Sequence, residues 1–404
     1  MRNPFIAAIA ILFSISAPAQ TSIFKVQNSP SPNVQGNILN AVSAISPSDA
    51  WAVGFKNDNF INDSRTLTAH FDGVSWKVVP SPNPASPPSC DGANTGNYLN
   101  AVAAVSENDV WAVGGAFNCT EVEIRPLVLH WDGKEWKPVR TPTLLLTGNA
   151  VLNGVTALAS NNVYAVGYKP AANGAVLTLI EHWDGVSWSA ISSPNRNPFG
   201  NTLSAISANA PNDIWAVGTS TAPSVEVRTL AEHFDGTKWS IAPSPNVVHG
   251  FLAQNDLQSL HATSASDVTA VGFILDPATL QHLTLIEHWN GKKWRVVPSP
   301  NPSQFSALNT VTGFTHNNLY AFGMLLDGNQ QFVALTMHFD GKSWSAVPSP
   351  SKGIAQQLNG SFAIPGTSHI WSVGEWSTVG IDPEDGFFQL PKTFVMVSDK
   401  ATAP

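Results

Sequence analysis

The residues best suited to chemistry in this sequence are histidines that recur in one short motif. Each is followed by an aromatic residue, Asp or Asn, Gly, any two residues and Trp, as in the stretch from His70 to Trp76. Imidazole is a common metal ligand and general base, so such histidines could mark a metal centre or a proton-transfer site. The motif histidines are His70, His130, His182, His233, His288 and His338.

The spacing of these histidines argues against a shared metal ion. A second motif, Asp-Ala-Trp-Ala-Val-Gly at 49–54, precedes the first histidine, and its glycine recurs roughly every 50 to 60 residues, which is typical of a repeat protein. The recurring glycines are Gly54, Gly114, Gly167, Gly218, Gly272, Gly323 and Gly374. Equivalent positions in different repeats stand apart and cannot converge on one ion.

We therefore predict a structural role for the histidines, each bonding to the acid that opens the second motif of its own repeat, as a buried polar group is normally paired. The predicted pairs are His70 with Asp49, His130 with Asp109, His233 with Asp213 and His288 with Asp267. The repeated Trp side chains have apolar neighbours, which favours packing between repeats over a carbohydrate-stacking surface.

Each repeat contains four strand-like runs, which in the first repeat are 39–45, 50–55, 66–71 and 75–79. The runs are rich in β-branched and aromatic residues and are broken by Ser-Pro, Asp-Gly and Pro-Ser-Pro, which are turn signals. Four antiparallel strands per repeat, in seven repeats, indicate an all-β, seven-bladed β-propeller of four-stranded antiparallel blades.

The two ends of the chain are predicted to share the last blade. The seventh repeat lacks a Trp-bearing fourth strand, whereas 24–30 matches 76–82 of the first repeat. An N-terminal strand at that place would complete the blade and remove exposed strand edges. The predicted domains are a signal peptide at 1–19 and one propeller at 20–404, with blades at about 38–83, 98–143, 151–195, 202–246, 256–301, 307–350 and 357–399 plus 22–30.

The N-terminus predicts export. Arg2 precedes an apolar run at 5–15, and Ala17-Pro18-Ala19 forms a cleavage site, as in secretory signal peptides. We expect a secreted or periplasmic protein without a membrane span, because the apolar run is too short to cross a bilayer comfortably. Twenty Lys and Arg against 28 Asp and Glu give a net charge of −8, which argues against nucleic acid as a partner.

The repeat is similar to kelch-type propeller repeats, which also place Gly after the second strand and Trp on the fourth. It most resembles exported bacterial propellers built from Asp-Val-Trp-Ala-Val-Gly units such as 109–114, most of which have no assigned activity. The hairpin 72–76 resembles the Asp-box of sialidase-like propellers but is one residue shorter. Such resemblance implies a fold and transfers no function.

No sequence motif points to a metal or a cofactor, so we predict neither and favour a non-enzymatic protein. Loop acids such as Glu121, Glu123, Asp382, Glu384 and Asp385 could still meet in space as paired carboxylates. Export also predicts a disulfide between the two cysteines, Cys90 and Cys119, with two separate thiols as the alternative.

The connections from second to third strand and from each blade to the next are long and irregular, and antiparallel alternation places them on one face, here called the long-loop face. Variable loops on a rigid scaffold usually carry binding. Candidate ligand-binding residues there are Arg65, Arg125, Arg228, Lys392, Asn40, Asn100, Asn153, Asn309 and Asn359. Local ion pairs with Glu123 and Glu226, and asparagines that cap turns, are the alternatives.

Aromatic residues on loops are better placed to stack on a ligand than those of the repeat. These loop aromatics are Phe60, Phe199, Phe251, Phe305, Trp376, Phe387 and Phe388. The sequence thus favours an exported binding or scaffold propeller that recognises a glycan, a peptide or an extracytoplasmic protein through the long-loop face. A polysaccharide-acting hydrolase or lyase of sialidase-like type is the alternative, and a structural module of the cell envelope is a second one.

Overall fold

β-Strands dominate the residues that the structure describes, and a short 3-10 helix spans Pro142–Leu145. The computed structural model describes residues 22–57, 64–84, 96–118, 123–145, 148–382 and 386–398. The strands are β1 (Phe24–Gln27), β2 (Asn37–Ser46), β3 (Asp49–Asn57), β4 (Ser64–Phe71), β5 (Trp76–Val79), β6 (Gly96–Ser106), β7 (Asp109–Asn118), β8 (Glu123–Trp131), β9 (Trp136–Pro138), β10 (Val151–Ala159), β11 (Asn162–Pro170), β12 (Val176–Trp183), β13 (Trp188–Ile191), β14 (Gly200–Ala210), β15 (Asp213–Thr221), β16 (Val227–Phe234), β17 (Trp239–Ile241), β18 (Gln254–Ser264), β19 (Asp267–Asp276), β20 (Gln281–Trp289), β21 (Trp294–Val296), β22 (Ser306–Thr315), β23 (Asn318–Leu326), β24 (Phe332–Phe339), β25 (Trp344–Val347), β26 (Gln356–Ala363), β27 (Ile370–Asp382) and β28 (Gly386–Ser398). In these ranges no helix has the length and apolar character that crossing a bilayer requires.

The strands pair in chain order as four-stranded antiparallel sheets. We number these sheets first (β2–β5), second (β6–β9), third (β10–β13), fourth (β14–β17), fifth (β18–β21) and sixth (β22–β25). Single parallel bridges link several neighbours at one end, as between Ser64 and Gly96 and between Val176 and Gly200.

The last sheet combines both ends of the chain. Strands β26, β27 and β28 pair in order, and β1 adds to β28 with Phe24 opposite Ser398. Phe24 is 2% exposed and meets the rings of Tyr320 and Phe322 of the sixth sheet edge-on, with centroids 5.8 and 5.4 Å apart. This pairing agrees with the closure that the sequence predicts, because β1 pairs with β28 and its Phe24 packs against the sixth sheet.

Asp-Gly hairpins join the third and fourth strands of the sheets, as the sequence predicts. Gly73 has a φ of 88°, a left-handed conformation that costs glycine little. The Asp72 carboxylate accepts hydrogen bonds from the backbone N–H groups of Val74 and Ser75 at 3.0 and 2.9 Å. The same positive φ recurs at Gly133, Gly185, Gly236, Gly291 and Gly341, so this feature of the repeat is confirmed.

A β-bulge in the first strand of each sheet explains the repeated glycine. In β2, Asn40 is the extra residue between Leu39 and Ala41, and Leu39 stands opposite Gly54. A Cβ on Gly54 would lie 2.0 Å from the backbone oxygen of Ile38, so no larger residue fits. The bulge also turns the Asn40 side chain out of the strand's alternation.

The core lies between neighbouring sheets. Trp51 of the first sheet is 1% exposed, and its ring stands nearly perpendicular to that of Trp136 in the second sheet, with centroids 5.2 Å apart. Trp51 belongs to one apolar cluster with Leu99, Val102 and Leu127 of the second sheet. Each indole thus joins its own sheet to the next one, and the sheets form a rigid support for their loops.

Candidate functional site

The motif histidines bond within their own sheets. His70 Nε2 lies 2.8 Å from Asp49 Oδ1, and its ring packs on Trp51 with centroids 4.5 Å apart. The same 2.8 Å contact joins His130 to Asp109, His233 to Asp213 and His288 to Asp267. No group of three or more His, Cys, Asp or Glu that could hold a metal ion is found among the described residues.

A central cavity of about 840 Å³ is lined by the first strands of the sheets. Its described lining mixes small polar residues such as Ser43, Thr156 and Ser207 with apolar residues such as Ile206 and Phe362, together with His261. Burial lowers the pKa of His261 to about 4, so this imidazole is neutral at physiological pH. A cavity of this size lies within the range of small-ligand sites.

The five candidate asparagines line this cavity, and each ties its sheet to the next. Asn40 Nδ2 donates to the Leu99 backbone oxygen at 2.8 Å, and Asn359 Nδ2 donates to the Leu39 oxygen at 3.1 Å. The same bond runs from Asn100 to Leu152, from Asn153 to Leu203 and from Asn309 to Leu358. All five lie at the bulges inside the first strands.

The candidate basic residues occupy equivalent places on their third strands. Arg65, Arg125, Arg228 and Lys392 each stand two residues before the residue that faces a repeated glycine. Arg125 Nη2 lies 2.7 Å from Glu123 Oε2, and Arg228 holds Glu226 by two bonds of 3.1 and 3.0 Å. The local ion pairs that the sequence left open are therefore present.

Residues 222–226 join β15 to β16, and the connections 196–200 and 247–253 of the long-loop face are both hydrogen-bonded to β16; these three segments are here called the three-loop surface. The Arg196 guanidinium donates to the Thr229 oxygen at 2.8 Å, and Val227 N donates to the Ala253 oxygen at 2.9 Å. His249 Nδ1 lies 3.2 Å from Glu226 Oε1. Hydrogen bonding to Arg228, helped by His249, holds the pKa of Glu226 at about 2.

Large apolar side chains project from the three-loop surface into solvent. Phe199 is 54% exposed and Phe251 is 68% exposed. Val225 and Leu252, also exposed, have φ values of 61° and 63°, a conformation that is a genuine outlier for a β-branched or bulky residue. Backbone strain of this kind clusters at functional sites, where the surrounding structure enforces it.

Sequence reasoning found part of this surface. Phe199 and Phe251 were recognisable as loop aromatics, whereas Val225 and Leu252 carry no sequence signal because their strain depends on the turns around them. Cys90 and Cys119, whose disulfide stays a prediction, lie outside the described residues, as do Phe60, Glu121, Glu384 and Asp385. The side chains of Asp382, Phe387 and Phe388 are likewise outside the described part.

Two acids stand next to the repeated bulges, Asp256 on a first strand (β18) and Glu375 on a second strand (β27). Asp256 precedes the bulge of β18 and accepts a bond of 2.9 Å from Gln258 Nε2. Glu375 follows Gly374 and accepts a bond of 2.6 Å from Gln357 Nε2. Burial raises the pKa of each carboxyl to about 6. Such a pKa suits a general acid near neutral pH.

Comparison with known proteins identifies the fold. No family model and no curated protein matches the sequence. A solved structure of YCF48 bound to D1 peptide aligns with a TM-score of 0.52 and 13% identity over 96% of this chain and all of that one. A polysaccharide lyase, ulvan lyase bound to -[GlcA(1-4)Rha3S]-, aligns with a TM-score of 0.56 and 10% identity over 90% of this chain and 94% of that one. Both are β-propeller-type proteins. The chain has a β-propeller fold.

A third similar structure is the GH74 xyloglucanase from Xanthomonas campestris. It aligns with a TM-score of 0.53 and 12% identity over 91% of this chain and 55% of the xyloglucanase. At sequence identities of 10% to 13%, these similarities show a shared fold and do not show a shared function, because one propeller scaffold supports many unrelated activities.

The propeller also buries acids between its sheets. Glu181, Glu232 and Glu287 occupy one position in the third, fourth and fifth sheets, and each is fully buried. Ser193 Oγ donates to Glu232 at 2.8 Å, and Thr143 donates to Glu181. Neither carboxyl oxygen of Glu287 has a hydrogen-bond partner among the described residues. Desolvation raises the pKa of both Glu232 and Glu287 to about 8.

Replacing Glu287 with Met should stabilise the protein by about 2 kcal/mol near pH 8, because it removes an unsatisfied buried carboxyl. Met is close in size to Glu, and Met337 occupies the equivalent position in the sixth sheet. From pH 4.5 to 8 the unfolded chain releases this proton while the folded chain retains it, so the wild type loses stability as pH rises.

Urea unfolding at several pH values measures this effect. The gap between Glu287→Met and wild type should be smallest near pH 5 and should widen up to pH 8. Glu107→Gln, a change at an exposed acid, serves as the control and should leave the wild-type profile unchanged. A gap that stays constant across this pH range would contradict a buried neutral Glu287.

Proposed function

We propose that this protein is a binding or scaffold propeller that recognises a peptide, a protein segment or a glycan outside the cytoplasm. We further propose that its sheets are the blades of a seven-bladed ring. The repeat count of the sequence supports that number, and so does the bond from Asn359 in the last sheet to Leu39 in the first. The signal-peptide pattern at 1–19 supports export.

The observation that carries the proposal is the three-loop surface. Exposed Phe199 and Phe251 stand on two loops that are both hydrogen-bonded to β16, and Val225 and Leu252 of the same surface are held in strained backbone conformations. Large exposed aromatics on a rigid support are the usual anchors of a binding interface, since they bury much area at small entropic cost. Because the surrounding structure holds the backbone of Val225 and Leu252 in this strained conformation, the three-loop surface is a suitable place for ligand recognition on the long-loop face.

The central cavity supports the proposal as well, because its lining suits an uncharged segment of a peptide or a glycan. None of its described lining residues is Asp, Glu, Lys or Arg. The hydroxyl and amide groups of this uncharged lining can form hydrogen bonds with a peptide backbone or with sugar hydroxyls. Basic side chains on the long-loop face, Arg65, Arg125, Arg228 and Lys392, would then orient acidic groups of the ligand.

Alanine at Phe199 and Phe251 should weaken binding of the natural ligand at least about tenfold, because truncating a central aromatic anchor commonly costs more than 1 kcal/mol. The ligand is first selected from peptide and glycan arrays with the purified protein, and affinities are then measured by calorimetry. Unchanged thermal unfolding would show that the loss of affinity is local.

The matched control is Val74→Ala combined with Val186→Ala. These two residues are 83% and 84% exposed and lie in the hairpins of the opposite face. If binding survived the loss of both phenylalanines but weakened in this control, the ligand would bind the face opposite the long loops, which would contradict the proposal.

A polysaccharide-acting hydrolase or lyase is the second candidate. The raised pKa of Asp256 and Glu375 favours it, because both acids are poised to exchange protons near pH 6. Incubation with acidic and neutral polysaccharides, followed by a reducing-end assay, separates the two functions. Chain cleavage that Asp256→Asn or Glu375→Gln abolishes would replace binding as the primary activity.

A further inference from the structure

One repeat lacks the large aromatic residue of its second strand. Thr269 of β19 faces His288 of β20, just as Trp215 faces His233 in the fourth sheet. The same position holds Trp51, Trp111, Tyr164, Tyr320 and Trp371 in the other sheets. Thr269 is therefore the one small residue at a place where the repeat otherwise puts an indole or a phenol.

A cavity of about 520 Å³ lies where that ring is missing. Thr269 and His288 of the fifth sheet line one side, and Leu319, Phe339 and Trp344 of the sixth sheet line the other. The residues that border it toward solvent belong to the short turns, so it opens on the face opposite the long loops. These border residues include Ser266, Asn290, His316 and Asn317.

The fourth sheet shows how an aromatic ring occupies the equivalent space. Trp215 stacks on His233 with centroids 4.3 Å apart and meets Trp294 of the fifth sheet nearly edge-on at 5.4 Å. Its indole N–H donates to Asp213 at 3.1 Å. In the cavity, His288, Trp344 and Asp267 stand at the places of His233, Trp294 and Asp213.

The histidine of the cavity is also the more accessible one. The His288 side chain is 38% exposed, against 27% for His233, which the indole of Trp215 covers. A flat ring over His288 would bury the same surface that the repeat buries elsewhere. Aromatic pairs of this geometry are favourable beyond the area that they bury.

We propose that this cavity, here called the Thr269 pocket, binds a flat aromatic ring with a hydrogen-bond donor, such as an indole. The ring stacks on His288, its edge meets Trp344, and its N–H donates to Asp267. The solvent-side opening admits the rest of the ligand, so the ring can belong to a small molecule or to a Trp side chain of a peptide. The pocket volume fits known ligand sites.

Indole and N-acetyltryptophanamide are the probes, with cyclohexanol as a non-aromatic control. Saturation-transfer NMR and calorimetry should give a dissociation constant of about 0.1 to 1 mM for indole, as expected for a ligand of this size. Tighter binding of N-acetyltryptophanamide or a Trp-containing peptide than of indole would assign the pocket to a peptide side chain. Tighter binding of indole would assign it to a free small molecule.

Thr269→Trp should fill the pocket from within. We expect indole binding to be lost and the melting temperature to rise by about 2 °C or more, because the variant restores the repeat's own packing. Thr269→Val keeps the pocket open and should bind indole as the wild type does. Equal indole binding by Thr269→Trp and wild type, or equal binding of cyclohexanol and indole, would overturn the proposal.

A second variant tests the pocket without relying on Thr269→Trp. Trp215→Thr should open a matching cavity in the fourth sheet, since deleted core side chains leave voids that bind apolar guests. The number of indole sites should rise from one to two, and indole should raise the melting temperature of this variant more than that of the wild type. A wild type that binds no indole at 5 mM (about five times the weakest expected Kd) would refute the inference.

Discussion

Replacing Phe24 with Ala should cost the protein about 3–5 kcal/mol of unfolding free energy, the usual range for a buried Phe. Phe24 is 2% exposed and packs in one cluster with Tyr320, Phe322 and Met396, which lie more than 290 residues away in the chain. It therefore fixes β1 in the last sheet, and its loss also exposes the edge of β28 to other chains.

Chemical unfolding and light scattering measure both effects. We expect a lower urea midpoint and more aggregation for Phe24→Ala. Val26→Thr is the matched control, because Val26 is on the same strand, is 36% exposed and should change stability by less than about 0.5 kcal/mol. Equal stability of the two variants would mean that the ends of the chain close without this side chain.

Replacing Gly167 with Ala should destabilise the protein by about 3 kcal/mol or more, at the upper end of the cost of overpacking. A Cβ at this residue would lie 1.9 Å from the Val151 backbone oxygen and 2.9 Å from the Leu152 Cα. Both obstacles are backbone atoms of a bulged strand, so the strand itself must move. The Asn153 bond to Leu203, which joins the third and fourth sheets, would be disturbed as well.

Gly328→Ala provides the comparison for this prediction. No atom lies within 4 Å of a Cβ built on Gly328, and its φ is not positive, so alanine should be neutral or slightly stabilising. Differential scanning calorimetry of both variants measures the difference. If the Gly167→Ala and Gly328→Ala variants had the same melting temperature, the bulge would not require glycine.

Functional sites are suggested by residues that differ from their equivalents in the other repeats. Thr269 breaks the aromatic position, and a cavity follows from it. Glu287 shares its buried position with Glu181 and Glu232 but, unlike them, has no hydrogen-bond partner among the described residues. The exposed aromatic residues Phe199 and Phe251 have no aromatic counterpart in the hairpins, where the exposed apolar residues are the smaller Val74 and Val186. Natural sequences violate local rules chiefly where function or strain is placed.

Much of the framework followed from the sequence because it depends on residues that are close together within one repeat. The pair His70 with Asp49 and the positive φ of Gly73 need only the geometry of adjacent antiparallel strands. The match of 24–30 to 76–82 predicted that β1 joins β28, since a missing strand has one place to go. Local pattern and repeat period were sufficient for these features.

Other features required the tertiary structure, because they depend on which residues of different repeats meet. The bulge at Asn40 is invisible in a strand pattern, yet it directs that amide to the Leu99 oxygen of the neighbouring sheet. The Thr269 pocket exists only because Trp344 of the next sheet faces the missing ring. The period of the sequence determines which residue types each repeat contains. Contacts between repeats determine whether an exceptional residue produces a cavity, a strained loop or a buried carboxyl group.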